Sequence, residues 1–163
     1  MARTSEAKRM TKREKICEVA VGWLNTPYVS HQCLKLVGVD CCQFAAAVYK
    51  EAGYTNVFIP KKYTMQCYLH RDAQDYRLIV EQYADEIQRK DVQPGDLILF
   101  KIGRGWGHSA IVLECDAKGP CKCIHSYGVG VQYSNPQTAG FLRFNDVRYY
   151  RIRGVDEEGK GGV

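Results

Sequence analysis

An α+β fold, with N-terminal helices packed on a C-terminal antiparallel β-sheet, follows from three observations. Apolar residues recur at helical spacing through the first half of the chain, short apolar runs separated by glycine turns fill the second, and no linker divides the two. In the first helix, Thr11-Lys12-Arg13-Glu14 has the form of a capping box. Ile16, Val19, Ala20, Trp23 and Leu24 then share one face, so this helix is expected over residues 12–24, ended by Asn25-Thr26-Pro27. A loop from Tyr28 to Val39 holds His31 and Cys33.

The second helix is expected to start at Asp40. Cys41, Phe44, Ala45, Val48, Tyr49 and Ala52 form its apolar stripe, and Gly53 terminates it. Residues 54–71 read as irregular. A third helix is expected over residues 72–90, because Tyr76, Ile79, Val80, Tyr83 and Ile87 fall on one face. The turn Gln93-Pro94-Gly95-Asp96 then leads into strands at 97–100, 108–115, 121–127, 129–133 and 147–152, with turns at 103–107 and 116–120.

The 163 residues suit a single domain over 1–153, able to bury a core without metal or disulfide staples. Residues 1–11 read as a basic tail and residues 154–163, glycine-rich and charged, as a frayed one. No apolar run approaches the ~20 residues that cross a bilayer, so no membrane partner is expected. The first ten residues lack the apolar centre of a secretory signal, which implies synthesis in the cytoplasm. Eight cysteines without an export signal read as reduced thiols. The net charge of +5 is concentrated near the N-terminus, at Arg3, Lys8, Arg9, Lys12, Arg13 and Lys15. A solvated tail leading into a helix explains it without a nucleic-acid partner, and it would also suit an anionic polymer.

Three segments carry chemistry: Gly38-Val39-Asp40-Cys41-Cys42-Gln43-Phe44, Trp106-Gly107-His108-Ser109 and Ile124-His125-Ser126-Tyr127. A thiol in the first turn of a helix, faced by imidazoles from a sheet, is how a fold builds a cysteine nucleophile. Cys41 lies on the apolar stripe, whereas Cys42 is rotated by about 100° and is expected to face elsewhere. His108 opens a strand after a glycine turn and is the candidate base. His125, on the next strand, is the candidate orienting group for its second ring nitrogen. His31 and His70 fall in expected loops and read as solvent-facing.

These segments resemble the NlpC family of cell-wall cysteine peptidases, which have a papain-like fold. The resemblance runs over residues 16–133. It includes Trp23-Leu24-Asn25-Thr26-Pro27-Tyr28, Val39-Asp40-Cys41, Pro94-Gly95-Asp96-Leu97-Ile98-Leu99-Phe100 and both histidine segments. The stretch from Thr26 to Gln32 through Asp40-Cys41 resembles the branch found in phage tails and prophages. By this resemblance Cys41 is the nucleophile, His108 the base and His125 its orienting residue, with no cofactor. Tyr28 and the Cys41 N–H would hold the oxyanion. The implied substrate is the peptidoglycan stem peptide, cleaved at an amide such as that between D-γ-glutamate and a diamino acid. The implied partners extend to phage tail proteins, with the protein carried in a virion or released on lysis. The family usually has Ser-Gly after the cysteine; here Cys42-Gln43 stand there, which places Gln43 as a candidate specificity residue.

Three other readings compete. Cys115, Cys121, Cys123 and His125 are zinc-ligand types on a hairpin, although Cys-x-Cys on a flat strand splays its sulfurs. A catalytically silent module binding a wall or tail is the second. An amidase or acyltransferase on the same fold is the third, since the triad is indifferent to substrate.

Overall fold

The computed structural model describes residues 8–54, 75–103, 105–140 and 146–157. Its first helix, α1 (Lys12–Val21), begins as the capping box requires. The Glu14 N–H donates to Thr11 Oγ1 at 3.1 Å, and the Thr11 N–H donates back to the Glu14 carboxylate at 2.8 Å. The helix ends three residues before the expected limit. Trp23 and Leu24 leave it through tighter bonds to Ala20 and Val21, which turn the chain toward the sheet. The expected loop that follows contains a small hairpin, β1 (Cys33–Leu34) and β2 (Gly38–Val39). Helix α2 (Cys41–Glu51) starts after Asp40, and Gly53 takes the left-handed conformation (φ 108°) just past its end.

The third helix departs from expectation. Among its described residues α3 (Asp75–Tyr83) is α-helical; Ala84–Ile87 form strand β3, and a 3-10 turn follows at Arg89–Asp91. The Arg153 guanidinium stops the helix, donating to the carbonyls of Glu81, Gln82 and Ala84 and to the Asp85 carboxylate. Ala84 to Ile87 then pair antiparallel with Ile152 to Tyr149. Neither cause is local, so the spacing of Tyr83 and Ile87 could not reveal it. Residues 72–74 of that expected helix, His70, and positions 55–71 of the expected irregular stretch lie outside the described residues.

The remaining strands are β4 (Leu97–Ile102), β5 (Gly105–Asp116), β6 (Gly119–Tyr127), β7 (Gly130–Ser134) and β8 (Val147–Ile152). With β3 they make a six-stranded antiparallel sheet in the order β3-β8-β4-β5-β6-β7. The strands match the expected positions; β4, β5 and β6 run longer because pairing continues into the turns, β7 is shifted by one residue, and β8 has the expected limits. Alternate residues face opposite sides. Leu97, Leu99, Ile111, Ile124 and Tyr150 pack with Ile16, Phe44 and Val48 of the helices. Ile98, Phe100, Ala110, Val112 and Cys123 form a smaller cluster on the far face.

Asp96, fully buried, ties these parts together. Its carboxylate accepts bonds from Arg13 of α1 (2.9 Å), from two nitrogens of Arg151 on β8 (2.9 and 3.1 Å) and from the Gln93 N–H (2.9 Å). Its backbone carbonyl takes the Val112 N–H, while Tyr49 of α2 donates to the neighbouring Gly95 carbonyl. The start of the expected C-terminal tail joins in: Val155 is buried, and Asp156 pairs with Arg13 and Arg151. Of the N-terminal basic cluster, Arg13 is thus engaged inside the fold, while its lysines pair at the surface. Lys12 donates to the Gly154 carbonyl, and Lys15 pairs with Glu18.

Replacing Asp96 removes the buried carboxylate shared by two guanidinium groups that are only 15% and 21% exposed, leaving them the half-exposed Asp156. Asp96→Ala is expected to lower unfolding stability by about 3 kcal/mol in urea titration, the lower end for a broken buried pair because both arginines keep some water. Unchanged stability would contradict the bracing role.

Candidate active site

The site is built around the N-terminus of α2. Asp40 is fully buried and extended (φ −94°, ψ 176°). One carboxylate oxygen accepts the Gln43 N–H (2.9 Å) and the other the His31 N–H (2.7 Å). The first bond caps the helix, and the second fixes the preceding loop to it. Cys41 therefore occupies the first helical position, where unpaired N–H groups favour a negative charge.

Two serines pin this helix start to the sheet. Ser109 Oγ donates to the Cys41 carbonyl (3.2 Å) and meets the Tyr76 hydroxyl (2.8 Å). Ser126 Oγ donates to the Val39 carbonyl (2.7 Å). Each serine directly follows one of the sheet histidines, so strand alternation turns each serine toward the helix and its histidine to the other side. The repeated His-Ser pair was the available signal for these two positions, which sequence reading passed over.

His108 reaches Cys41 because the sheet is irregular there. Register moves from Phe100↔His108 to Lys101↔Trp106, leaving Gly107 as the extra residue of a β-bulge. The Gly107 carbonyl lies 3.6 Å from Cys41 Sγ. His108 hydrogen-bonds the Cys41 sulfur, and its Nε2 lies 2.7 Å from His125 Nδ1. His125 Nε2 in turn meets Ser134 Oγ at 3.0 Å. Cys41, His108 and His125 are 2%, 3% and 1% exposed. The ring of Tyr127, also unanticipated, lies near-parallel to His125 and edge-on to His108, with centroids 5.9 and 5.7 Å away.

The other expected positions divide. Tyr28 is held beside the site, bridged to Val39, while Pro27 bridges Gly130 of β7. Gly130 has a φ of 149°, and a Cβ there would overlap the Thr26 carbonyl, so the approach depends on glycine. Gln43 does not share the Cys41 face: two positions on, helical rotation turns it by about 200°. Cys42 was expected to turn away from the core, yet it is only 2% exposed, with its sulfur 3.9 Å from that of Cys41. The second helix is covered on more of its circumference than its apolar stripe implies. His31 is exposed, as expected.

The zinc-type residues are dispersed. Cys115 is exposed and directed at the Val92 carbonyl, Cys123 is buried in the far-face cluster, and His125 bonds His108 and Ser134. Among the described residues no group of three or more His, Cys, Asp or Glu side chains converges on one point. The seven described cysteines are free thiols.

The electrostatics favour an ionised Cys41. The hydrogen bond from Cys42 lowers its pKa most; burial opposes this, and the bond and charge of His108 lower it further, to about 5. Burial, then the His108 charge, pushes His125 down to about 3, so it is neutral at ordinary pH. Burial, then the negative charges of Cys41 and Asp40, raises the Tyr28 phenol, which keeps its proton and can donate it to an acceptor. Burial also raises the thiols of Cys17, Cys33, Cys115 and Cys123.

A helix-borne thiol facing a histidine pair on an antiparallel sheet is the papain-like arrangement of a cysteine nucleophile and its base. The chain belongs to the NlpC/P60 family, whose family model matches residues 25–147. It is similar to the NlpC/p60 domain of the peptidoglycan hydrolase SagA, at 22% identity and a TM-score of 0.59 over 83% of this chain and 96% of that one. It is likewise similar to a lipoprotein-like NLP/P60 protein of Staphylococcus aureus (22% identity, TM-score 0.60), covering 93% of this chain but 45% of that one. RipD of Mycobacterium tuberculosis, a non-catalytic member adapted to binding peptidoglycan, aligns at 15% identity and a TM-score of 0.56, over 88% of this chain and 99% of that one. These likenesses show a shared fold. A comparison with curated proteins finds no match.

The ionised thiol should declare itself chemically. Iodoacetamide is expected to modify Cys41 with a midpoint near pH 5, well below the raised thiols of Cys115 and Cys123. Asp40→Asn keeps a cap but removes a negative charge that opposes the thiolate, so the midpoint should fall further. A midpoint that rises in this variant would contradict the electrostatic assignment.

Proposed function

We propose that the protein is a cysteine peptidase hydrolysing amide bonds in peptidoglycan stem peptides, of the D-γ-glutamyl–diamino acid kind. The observation that supports this reading best is the unbroken hydrogen-bonded chain Cys41–His108–His125 at the capped start of α2. The Cys41 sulfur attacks the amide carbonyl carbon, and the carbon–oxygen π electrons move onto oxygen. The Cys41 N–H and the Tyr28 hydroxyl stabilise that oxyanion. As the carbon–nitrogen bond breaks, His108 gives its proton to the departing amine, leaving a thioester on Cys41. Water then attacks the thioester, His108 takes up a water proton, and the thiolate leaves with the acid released. Neutral His125 accepts the second His108 proton as a hydrogen bond and holds the ring in place.

The finer reading places the protein in the phage- and prophage-tail branch of the family. It would reach the wall in a virion or on lysis. It rests on the segment from Thr26 to Cys41 and would be supported by tail genes flanking the coding sequence.

Mass analysis of peptidoglycan fragments after incubation tests the activity. The wild type should release fragments cut at the γ-glutamyl amide, and Cys41→Ala should release none while keeping its fold. Activity should fall to half near pH 5 as the thiolate protonates, since the pKa of Cys41 is lowered to that value. Binding without cleavage by the wild type would favour the role that RipD has; cleavage by Cys41→Ala would exclude the mechanism.

A further inference from the structure

The hydrogen-bonded chain does not stop at His125. Ser134, on edge strand β7, lies diagonal to it: His125 pairs with Gln132, and Ser134 with Cys123. Its Oγ is 3.0 Å from His125 Nε2, while His125 Nδ1 is 2.7 Å from His108 Nε2. His125 is 1% exposed, so bulk water does not serve its ring nitrogens.

The direction of the protons along this chain decides whether His108 can act. A proton on His125 Nδ1 would be donated to His108 Nε2. The remaining proton of a neutral His108 would then sit on Nδ1, the nitrogen left for Cys41, and His108 could not accept the thiol proton. In the opposite direction His108 Nε2–H donates to a bare His125 Nδ1. His108 Nδ1 is then free to take and return a proton, and the His125 proton must sit on Nε2. That proton needs an acceptor, and Ser134 Oγ is at hydrogen-bonding distance.

We infer that Ser134 is a positioning residue that fixes the tautomer of His125, and through it the working nitrogen of His108. The role in catalysis rests on the peptidase reading above; the tautomer does not. Ser134 never meets the substrate in this scheme. Its hydroxyl stabilises the useful proton arrangement by accepting the His125 Nε2–H, whereas loss of the hydroxyl removes that acceptor and favours the unproductive tautomer.

Nitrogen-15 NMR of the histidine side chains tests this directly. In the wild type at neutral pH, His125 should be protonated on Nε2 and bare on Nδ1. Ser134→Ala should shift the population toward the Nδ1-protonated form, and Ser134→Thr, which keeps the hydroxyl, should restore it. Hydrolysis of peptidoglycan fragments should fall roughly tenfold in kcat for Ser134→Ala with KM little changed, and recover in Ser134→Thr. A wild-type His125 protonated on Nδ1 would overturn the inference even if Ser134→Ala failed to fold. So would a spectrum indifferent to Ser134→Ala, or a shifted tautomer with undiminished kcat. If the wild type hydrolyses nothing, the peptidase reading fails, while the spectra still decide the role of Ser134.

Discussion

Burial opposes ionisation of the Cys41 thiol, and the groups around it offset that penalty enough to draw its pKa down. A buried charge is costly unless donors replace the water it has lost. Cys41 has three sources of compensation: the Cys42 thiol, the His108 ring and the open N–H groups of the first helical turn. Asp40 works against them, since a carboxylate so near raises the pKa of the thiol. Its two oxygens are engaged by the Gln43 and His31 N–H groups, which make it the anchor of the helix start. The fold accepts an unfavourable charge pair to obtain a fixed position for Cys41.

Position is then transmitted through the sheet. The two His-Ser pairs use strand alternation twice, sending serines to the backbone of the helix start and histidines to the reactive side. The Gly107 bulge bends β5 so that His108 reaches the sulfur. Farther back, Asp96 joins α1, β8 and the turn before β4, and the Tyr49 bond to Gly95 links α2 to the same point. Helix α2, which carries Cys41, and strand β5, which carries His108, thus share one buried brace.

Much of this was legible in the sequence because it is local. The Thr11–Glu14 box, the Asp40 cap, the Gly53 stop and the strand positions each follow from a few neighbouring residues, and all appear in the structure. The convergence of Cys41, His108 and His125 was legible from their motifs taken together. What failed was non-local. Arg153 ends α3 from the far end of the chain, and β8 recruits Ala84–Ile87 into the sheet. Cys42 is covered by packing that a single helix wheel does not contain. Ser134 and Tyr127 join the site only through strand register and ring contacts, for which no short motif exists.

The proposed chemistry requires the Cys41 sulfur to form the covalent intermediate. Acid-quenching the protein during turnover of a γ-glutamyl–diamino acid peptide, followed by mass analysis of its proteolytic fragments, tests it most directly. The expected result is an acyl group in thioester linkage on the fragment carrying Cys41, localised to that residue and absent in Cys41→Ala. An acyl group on Cys42 instead, or sustained turnover by the Cys41→Ala variant, would contradict it.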